Sequence, residues 1–197
     1  MASTLKVNTI AHSGGTNAMT IDSGGRMVQS NRPVFFANAK NTANGAGTKW
    51  STGGTAANNF IPIPFDTEII DRTNNFDPST FKFTVPVTGD YMLYSYAIAG
   101  DSNEWLRMFM MMQRSSAIYS LGATQNDFSG SASTDFAGAS MQIMAPLVAG
   151  DTVWMTLDKN SSGTEESLYT GSSTITGMTA ALSGMPDRWN GFGGYLI

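Results

Sequence analysis

The stretch from Phe65 to Leu93 constrains the fold of this chain most, because its aromatic and turn residues stand at strand-like spacings. It reads FDTEIIDRTNNFDPSTFKFTVPVTGDYML, with strand-forming residues between two turn-forming segments. Asp77–Thr80 (DPST) has the composition of a type I turn, and Thr88–Asp90 (TGD) predicts a second tight turn. The stretch therefore predicts three strands joined by two turns.

The strand that follows, Tyr91–Ala99, is largely apolar on both of its faces. Alternation places the following residues on one face: Tyr91, Leu93, Ser95 and Ala97. It places these on the other face: Met92, Tyr94, Tyr96 and Ile98. A strand that is apolar on both faces is typically covered on both sides, which we expect here.

The rest of the chain also predicts strands. No helical period is sustained beyond a turn or two, and strand-like segments recur roughly every 8–12 residues, as in a β-sandwich. Leu106–Arg114 contains four methionines, which are expected to fill the core in preference to forming an adaptable binding surface. The polar segment Asn38–Asn59 predicts a long loop or a weak hairpin, and Thr124–Thr134 predicts a second polar loop.

Composition excludes several classes of function. The 197 residues include 11 Lys+Arg against 15 Asp+Glu, a net charge of −4, which argues against a nucleic-acid or polybasic membrane-surface protein. There is no cysteine, so we expect no disulfide and a protein made in a reducing cytoplasm. The N-terminus does not resemble a signal peptide, and no segment reaches the ~20 apolar residues that membrane insertion requires.

Catalytic chemistry has little support in the sequence. The single histidine, His12, stands in a predicted turn and is a poor general base. The adjacent acidic pair Glu165-Glu166 lies in a polar loop, which cannot hold carboxylates at a fixed separation. No zinc cluster or phosphate-binding loop is present. The prediction is a protein that is not an enzyme, needs no cofactor and has no predicted metal-site residue; whether it binds calcium stays open.

Residues 1–30 form a separate segment ahead of the globular domain at 31–197. Its strand-like pieces at 5–10, 18–21 and 26–28 are too small to make a core alone. They must pack on copies of themselves, on the globular domain or on a larger partner. The segment is predicted to be a β-rich anchor whose contacts are made by Leu5, Val7, Ile10 and Ile21.

The aromatic and turn spacings resemble the pattern of the complement C1q globular domain, a relative of the tumour necrosis factor jelly rolls. The positions that match are Phe65, Asp71, Phe76, Phe83, Gly89, Tyr91 and Leu93. The family prefers Phe at Leu93 and an aromatic residue at Ser95, so these two positions depart from the pattern. The resemblance covers about Arg32 to Ile197 and implies an all-β, C1q/tumour necrosis factor-like jelly-roll sandwich.

The resemblance also implies a homotrimer. Independent support comes from the strands that are apolar on both faces and from the apolar end Tyr195–Ile197, which a threefold contact would bury. The residues predicted to straddle the core and the trimer contact are Phe83, Tyr91, Leu93, Phe192, Tyr195 and Ile197.

The N-terminal segment is similar to the attachment segments of fibre and decoration proteins of tailed bacteriophages, especially marine ones. The likeness lies in residues 3–10 and 20–26. It implies a virion protein made in the host cytoplasm, a trimeric fibre, knob or capsid-decorating cement protein. Its expected partners are copies of itself, phage capsid or tail proteins, and a host surface glycan or protein.

Three tryptophans beside the polar loops are candidate receptor residues: Trp50, Trp105 and Trp189. They could stack on sugar rings, although capping the sandwich or sealing a subunit contact is the modestly favoured alternative. Two other functions stay open at this point. A polysaccharide-degrading tail spike would need a carboxylate pair in a groove, and a secreted cytokine-like trimeric ligand is opposed by the missing leader and cysteines.

Overall fold

The computed structural model describes residues 6–29, 31–39, 48–51, 62–99, 105–127, 137–159, 165–168 and 190–197. These residues form fifteen β-strands and no helix. The strands are β1 (Thr9–Ala11), β2 (Asn17–Ile21), β3 (Met27–Val28), β4 (Val34–Asn38), β5 (Thr48–Ser51), β6 (Thr67–Asp71), β7 (Phe76–Asp77), β8 (Lys82–Thr84), β9 (Gly89–Ala99), β10 (Trp105–Arg114), β11 (Ala117–Asp127), β12 (Ala137–Leu147), β13 (Thr152–Lys159), β14 (Glu165–Leu168) and β15 (Gly191–Leu196).

The strands form three sheets. The larger sheet has the order β5-β14-β9-β15-β4-β6, and β12 also pairs with β9. The smaller sheet of the sandwich has the order β11-β10-β13-β8-β7. A third sheet, β1-β2-β3, comes from the N-terminal segment. The predicted all-β jelly-roll sandwich is confirmed. The division at residues 30 and 31 stays a prediction.

The core lies between the two large sheets and is rich in phenylalanine. The rings of Phe35 and Phe83 stack with their centres 4.1 Å apart. The ring of Phe192 meets Phe35 edge-on at 4.9 Å, a geometry that aromatic pairs favour. Phe65 and Phe76 also lie close to Phe192. This cluster joins β4, β8 and β15, and so holds the two sheets together.

The predicted alternation in β9 is confirmed. The odd-numbered residues from Tyr91 to Ala97 are buried in the core, and the even-numbered residues from Met92 to Ile98 are only partly covered. The methionines of β10 are buried as well, which confirms their role as core filling.

Three segments expected to be loops contain strand residues. β5 lies within Asn38–Asn59, and the acidic pair Glu165-Glu166 lies on β14, which pairs with β5. β11 extends to Asp127, into the segment expected to form a second polar loop.

Two aspartate side chains within Phe65–Leu93 accept hydrogen bonds from the residues of the turns beside them. The Asp77 carboxylate accepts hydrogen bonds from the Ser79 amide and hydroxyl and from the Thr80 hydroxyl, which lowers its pKa to about 2. The Asp71 carboxylate likewise accepts from the Asn75 and Phe76 amides. The second predicted turn is instead a short bend, and β9 begins at Gly89.

An ion pair between an exposed arginine and a buried aspartate ties the end of β10 to the loop before β13. The Arg114 Nε and Nη2 atoms donate to the two carboxylate oxygens of Asp151 at 2.8 and 2.7 Å. The Asp151 carboxylate, 2% exposed, also accepts from the Val148 amide. These hydrogen bonds hold the pKa of Asp151 below its ordinary value, and the hydrogen bond from Arg114 has the largest effect.

Lowering the pH should therefore weaken the fold through Asp151. Because its pKa is lower in the folded chain, its stabilisation is complete above about pH 4 and is lost as the pH falls further. We expect Asp151→Asn to cost about 1–3 kcal/mol of unfolding free energy at pH 7 and to flatten the acid loss, measured by urea unfolding. The matched control is Asp22→Asn. Asp22 pairs with an exposed arginine, so the loss of this ion pair should leave the unfolding free energy nearly unchanged. An unchanged acid profile in Asp151→Asn would contradict this role.

Candidate functional site

The outward side of the larger sheet is the candidate site, and we call it the aromatic face. It consists of side chains on β4, β15, β9 and β12 that point away from the core. Strand register arranges them in rows, since residues paired across neighbouring strands lie on the same side of a sheet. The lower row is Val34, Tyr195, Met92 and Met144; the middle row is Phe36, Gly193, Tyr94 and Gln142; the upper row is Gly191, Tyr96 and Ser140.

Two aromatic rings form the centre of this face. Phe36 and Tyr94 stack with ring centres 6.1 Å apart and planes inclined by 19°. Gly193 lies between them in the row, and a Cβ atom there would come within 2.7 Å of the Tyr94 ring. A Cβ at Gly191 would likewise come within 2.6 Å of the Phe36 ring. The glycines of β15 thus let the rings lie flat across the strand.

The margins of the aromatic face are exposed and apolar. Met144 is 64% exposed and Tyr195 is 37% exposed. Ile70, on the edge strand β6, is exposed too. Phe36 at the centre is only 6% exposed, so the accessible apolar side chains are those at the margins. Exposed apolar side chains grouped in this way are typical of a protein–protein contact. The face can bind by apolar burial.

The six residues predicted to straddle the core and the trimer contact fall into two groups. Phe83, Tyr91, Leu93 and Phe192 are completely or almost completely buried in the core of their own chain. Tyr195 and Ile197 are exposed, Tyr195 on the aromatic face and Ile197 just below it. A contact with another copy stays a prediction for all six. The prediction also missed Phe36 and Met144, which only the strand register brings beside Tyr94 and Met92.

The residues predicted to anchor the N-terminal segment lie on or beside its small sheet. Ile10 is exposed on β1, whereas Val7 and Ile21 are partly buried. Leu5 lies outside the described residues. The sequence prediction missed Met27 and Val28, which are exposed on β3. The attachment role of this sheet stays a prediction.

The predicted receptor tryptophans are not brought together by the described residues. Trp50 lies on β5 and Trp105 begins β10, and their side chains lie outside the described part of the chain. Trp189 lies outside it entirely. Their binding role therefore stays a prediction.

The part of the chain that the structure describes offers little for chemistry. It contains no group of three His, Cys, Asp or Glu side chains able to hold a metal ion. The His12 Nδ1 atom accepts a hydrogen bond from the Gly14 amide at 3.0 Å, so this side chain caps its own exposed turn. The described residues also include no helix with the length and apolar character needed to span a bilayer.

The fold is a jelly-roll sandwich, and its aromatic face is suited to a protein–protein contact. The C1q domain family model matches residues 47–178, and the chain belongs to this family. Domains of the C1q and tumour necrosis factor class are generally non-enzymatic and typically self-associate as trimers. The coarser part of the predicted function, a C1q-like domain suited to a trimeric binding or structural protein, is therefore confirmed.

Two solved structures share the fold. The globular domain of the zebrafish complement 1qA protein has a TM-score of 0.53 and 20% identity, covering 85% of this chain and 98% of that one. The Eiger tumour necrosis factor of S. frugiperda has a TM-score of 0.57 and 11% identity, covering 84% of this chain and 92% of that one. No curated protein sequence matches this chain significantly.

Proposed function

We propose that this chain is a non-enzymatic structural and binding protein of a tailed-phage virion. Three copies form a fibre knob or head-decoration protein, and the N-terminal segment attaches it to the particle. The observation that carries the trimer is the aromatic face, whose apolar lower row includes the exposed side chains of Met144 and Tyr195. Membership of the C1q domain family supports the same assembly.

The N-terminal sheet supports attachment as the role of the first segment. Its strands are two to five residues long, and they pair only with one another among the described residues. Such a small sheet cannot stabilise itself in water. Met27 is 70% exposed, and Ile10 and Val28 are exposed with it. A partner surface that covers these side chains would supply the missing burial.

The virion context rests on the N-terminal likeness to phage fibre and decoration proteins at residues 3–10 and 20–26. A trimer presents three N-terminal segments at once, so weak single contacts would combine into firm attachment. In a fibre, the opposite end of the jelly roll would meet a host glycan or protein. In a cement protein, it would meet neighbouring capsid subunits. Both roles require binding and no catalysis.

Gold-labelled antibody against the chain, applied to particles of a phage that encodes it, tests this function by electron microscopy. We expect label at fixed positions on the particles. Replacing Met27 and Val28 with glutamate should lower incorporation roughly tenfold or more, because three carboxylates at each position would face an apolar partner surface. The control is Ile118→Glu, on β11 of the smaller sheet, which should be incorporated normally. Unlabelled particles, with the protein free in the lysate, would overturn the proposal.

A further inference from the structure

A fourth row, which we call the base row, borders the aromatic face below the lower row. Each member lies two residues from a lower-row residue on its strand: Arg32, Ile197, Asp90 and Pro146. The Ile197 amide donates to the Asp90 carbonyl at 2.8 Å, and the Leu196 amide donates to the Pro33 carbonyl at 3.1 Å. The strand pairing therefore continues into this row, which contains one cationic and one anionic side chain, those of Arg32 and Asp90.

The cation of the base row is half-buried and has a fixed position. The Arg32 Nε atom donates to the Leu196 carbonyl oxygen. Its guanidinium carbon lies 5.5 Å from the centre of the Tyr195 ring. Arg32 also lines a cleft of about 480 Å³ whose apolar walls include Val87 and Ile197. None of the carboxylates in the described part of the chain forms an ion pair with it.

A partly buried guanidinium without a carboxylate is unfavourable, because it loses hydration and gains no opposite charge in return. The carbonyl and the ring satisfy only part of its hydrogen-bonding and charge requirement. The fork of an arginine side chain is suited to a carboxylate that approaches from outside. Arg32 therefore points to an acidic partner at the lower border of the aromatic face.

The anion of the base row is available. Asp90 is exposed and precedes Tyr91, whose side chain points into the core, so the Asp90 side chain lies on the same side as Met92. The described residues provide no ion pair for its carboxylate. Within one chain, Arg32 and Asp90 are two strand spacings apart, about 10 Å, with the Ile197 strand between them.

We propose that Arg32 of one copy pairs with Asp90 of the next copy around a closed ring. This inference rests on the proposed self-association through the aromatic face. A ring joins one patch of each copy to a different patch of its neighbour, so separate cationic and anionic sites on one row are complementary. Three such pairs would form one belt at the end of the trimer that carries the N-terminal segments. They would also favour ring closure over a two-fold dimer, since a two-fold contact through either site brings like charges together.

Charge reversal tests the pairing in the full-length protein, with trimer dissociation followed by light scattering over a dilution series. Arg32→Asp and Asp90→Arg should each raise the dissociation concentration roughly tenfold or more. The chain with both substitutions should return to within about threefold of the original value. Asp90→Arg leaves the Leu196 and Tyr195 contacts of Arg32 in place, so its effect is independent of any disturbance at Arg32.

A competing carboxylate on the edge strand is Glu68, which is exposed on β6 and pairs with Ala37, above the base row. Recovery of Arg32→Asp by Glu68→Arg, and not by Asp90→Arg, would overturn the assignment. The assignment would also be overturned if neither single substitution raised the dissociation concentration. It would be overturned equally if the chain with both substitutions dissociated at the same concentration as the single variants. In each of these results the unmodified chain remains a trimer, so the proposed function stands. A monomeric unmodified chain would instead remove the assembly on which the pairing depends.

Discussion

Replacing both Met144 and Tyr195 with glutamate is expected to convert the trimer into folded monomers. Both side chains are exposed, so neither substitution disturbs the core of its own chain. In a trimer, however, the two positions would bring six carboxylates into one apolar contact. Arg32 lies beside position 195 and could pair only with the carboxylate there, so the carboxylate at position 144 loses hydration without gaining a cation. Dissociation at micromolar concentration is expected, measured by light scattering, with the circular dichroism of the β-sheets retained.

The matched control places the same charge on the opposite side of the sandwich. Ile118 is 52% exposed on β11, and its cross-strand partner is Gln113. We expect Ile118→Glu to remain trimeric at the same concentrations. If this variant dissociates and the Met144 and Tyr195 variant does not, the copies meet through the smaller sheet and the aromatic face is the wrong surface.

Truncation of Phe192 to alanine should produce the largest loss of stability in a single chain. The side chain is fully buried and contacts Phe35, Phe65 and Phe76. Removing a buried aromatic ring costs about 3–5 kcal/mol, which is much of the stability of a typical domain. Urea unfolding should show this loss at one fixed protein concentration, because dissociation would otherwise contribute to the measured free energy.

A conservative variant and an exposed aromatic residue provide the comparison. Phe192→Leu keeps most of the volume and should recover more than half of the loss. Tyr119→Ala removes a ring that is about half exposed on β11, and we expect little change in the unfolding free energy. A Phe192→Ala protein as stable as Tyr119→Ala would mean that the phenylalanine cluster does not hold the two sheets together.

The fold was largely predictable because its strongest signals are local. Alternation within Tyr91–Ala99 follows from strand geometry alone, so the two faces of β9 could be assigned from the residues. The carboxylates of Asp77 and Asp71 accept hydrogen bonds from amides of the turns that follow them. Such local side-chain to backbone bonds are typical of aspartate at turns, so turns can be predicted from its position. The methionines of β10 belonged to the core because they lie in the middle of the strand pattern.

The candidate site was less predictable because it depends on pairings between distant residues. Phe36 meets Tyr94 only because β15 pairs with both β4 and β9 and places Gly193 between the rings. No local pattern reveals this register. The structure places the Phe192 side chain in the core, and its predicted contact with another copy stays a prediction.

The central claim is that three copies meet through the aromatic face. Its most direct test is light scattering on the unmodified full-length protein at micromolar concentration, run beside the Met144 and Tyr195 glutamate variant. A mass of three chains for the unmodified protein and of one chain for the variant is expected. A stable monomer for the unmodified protein would contradict the claim.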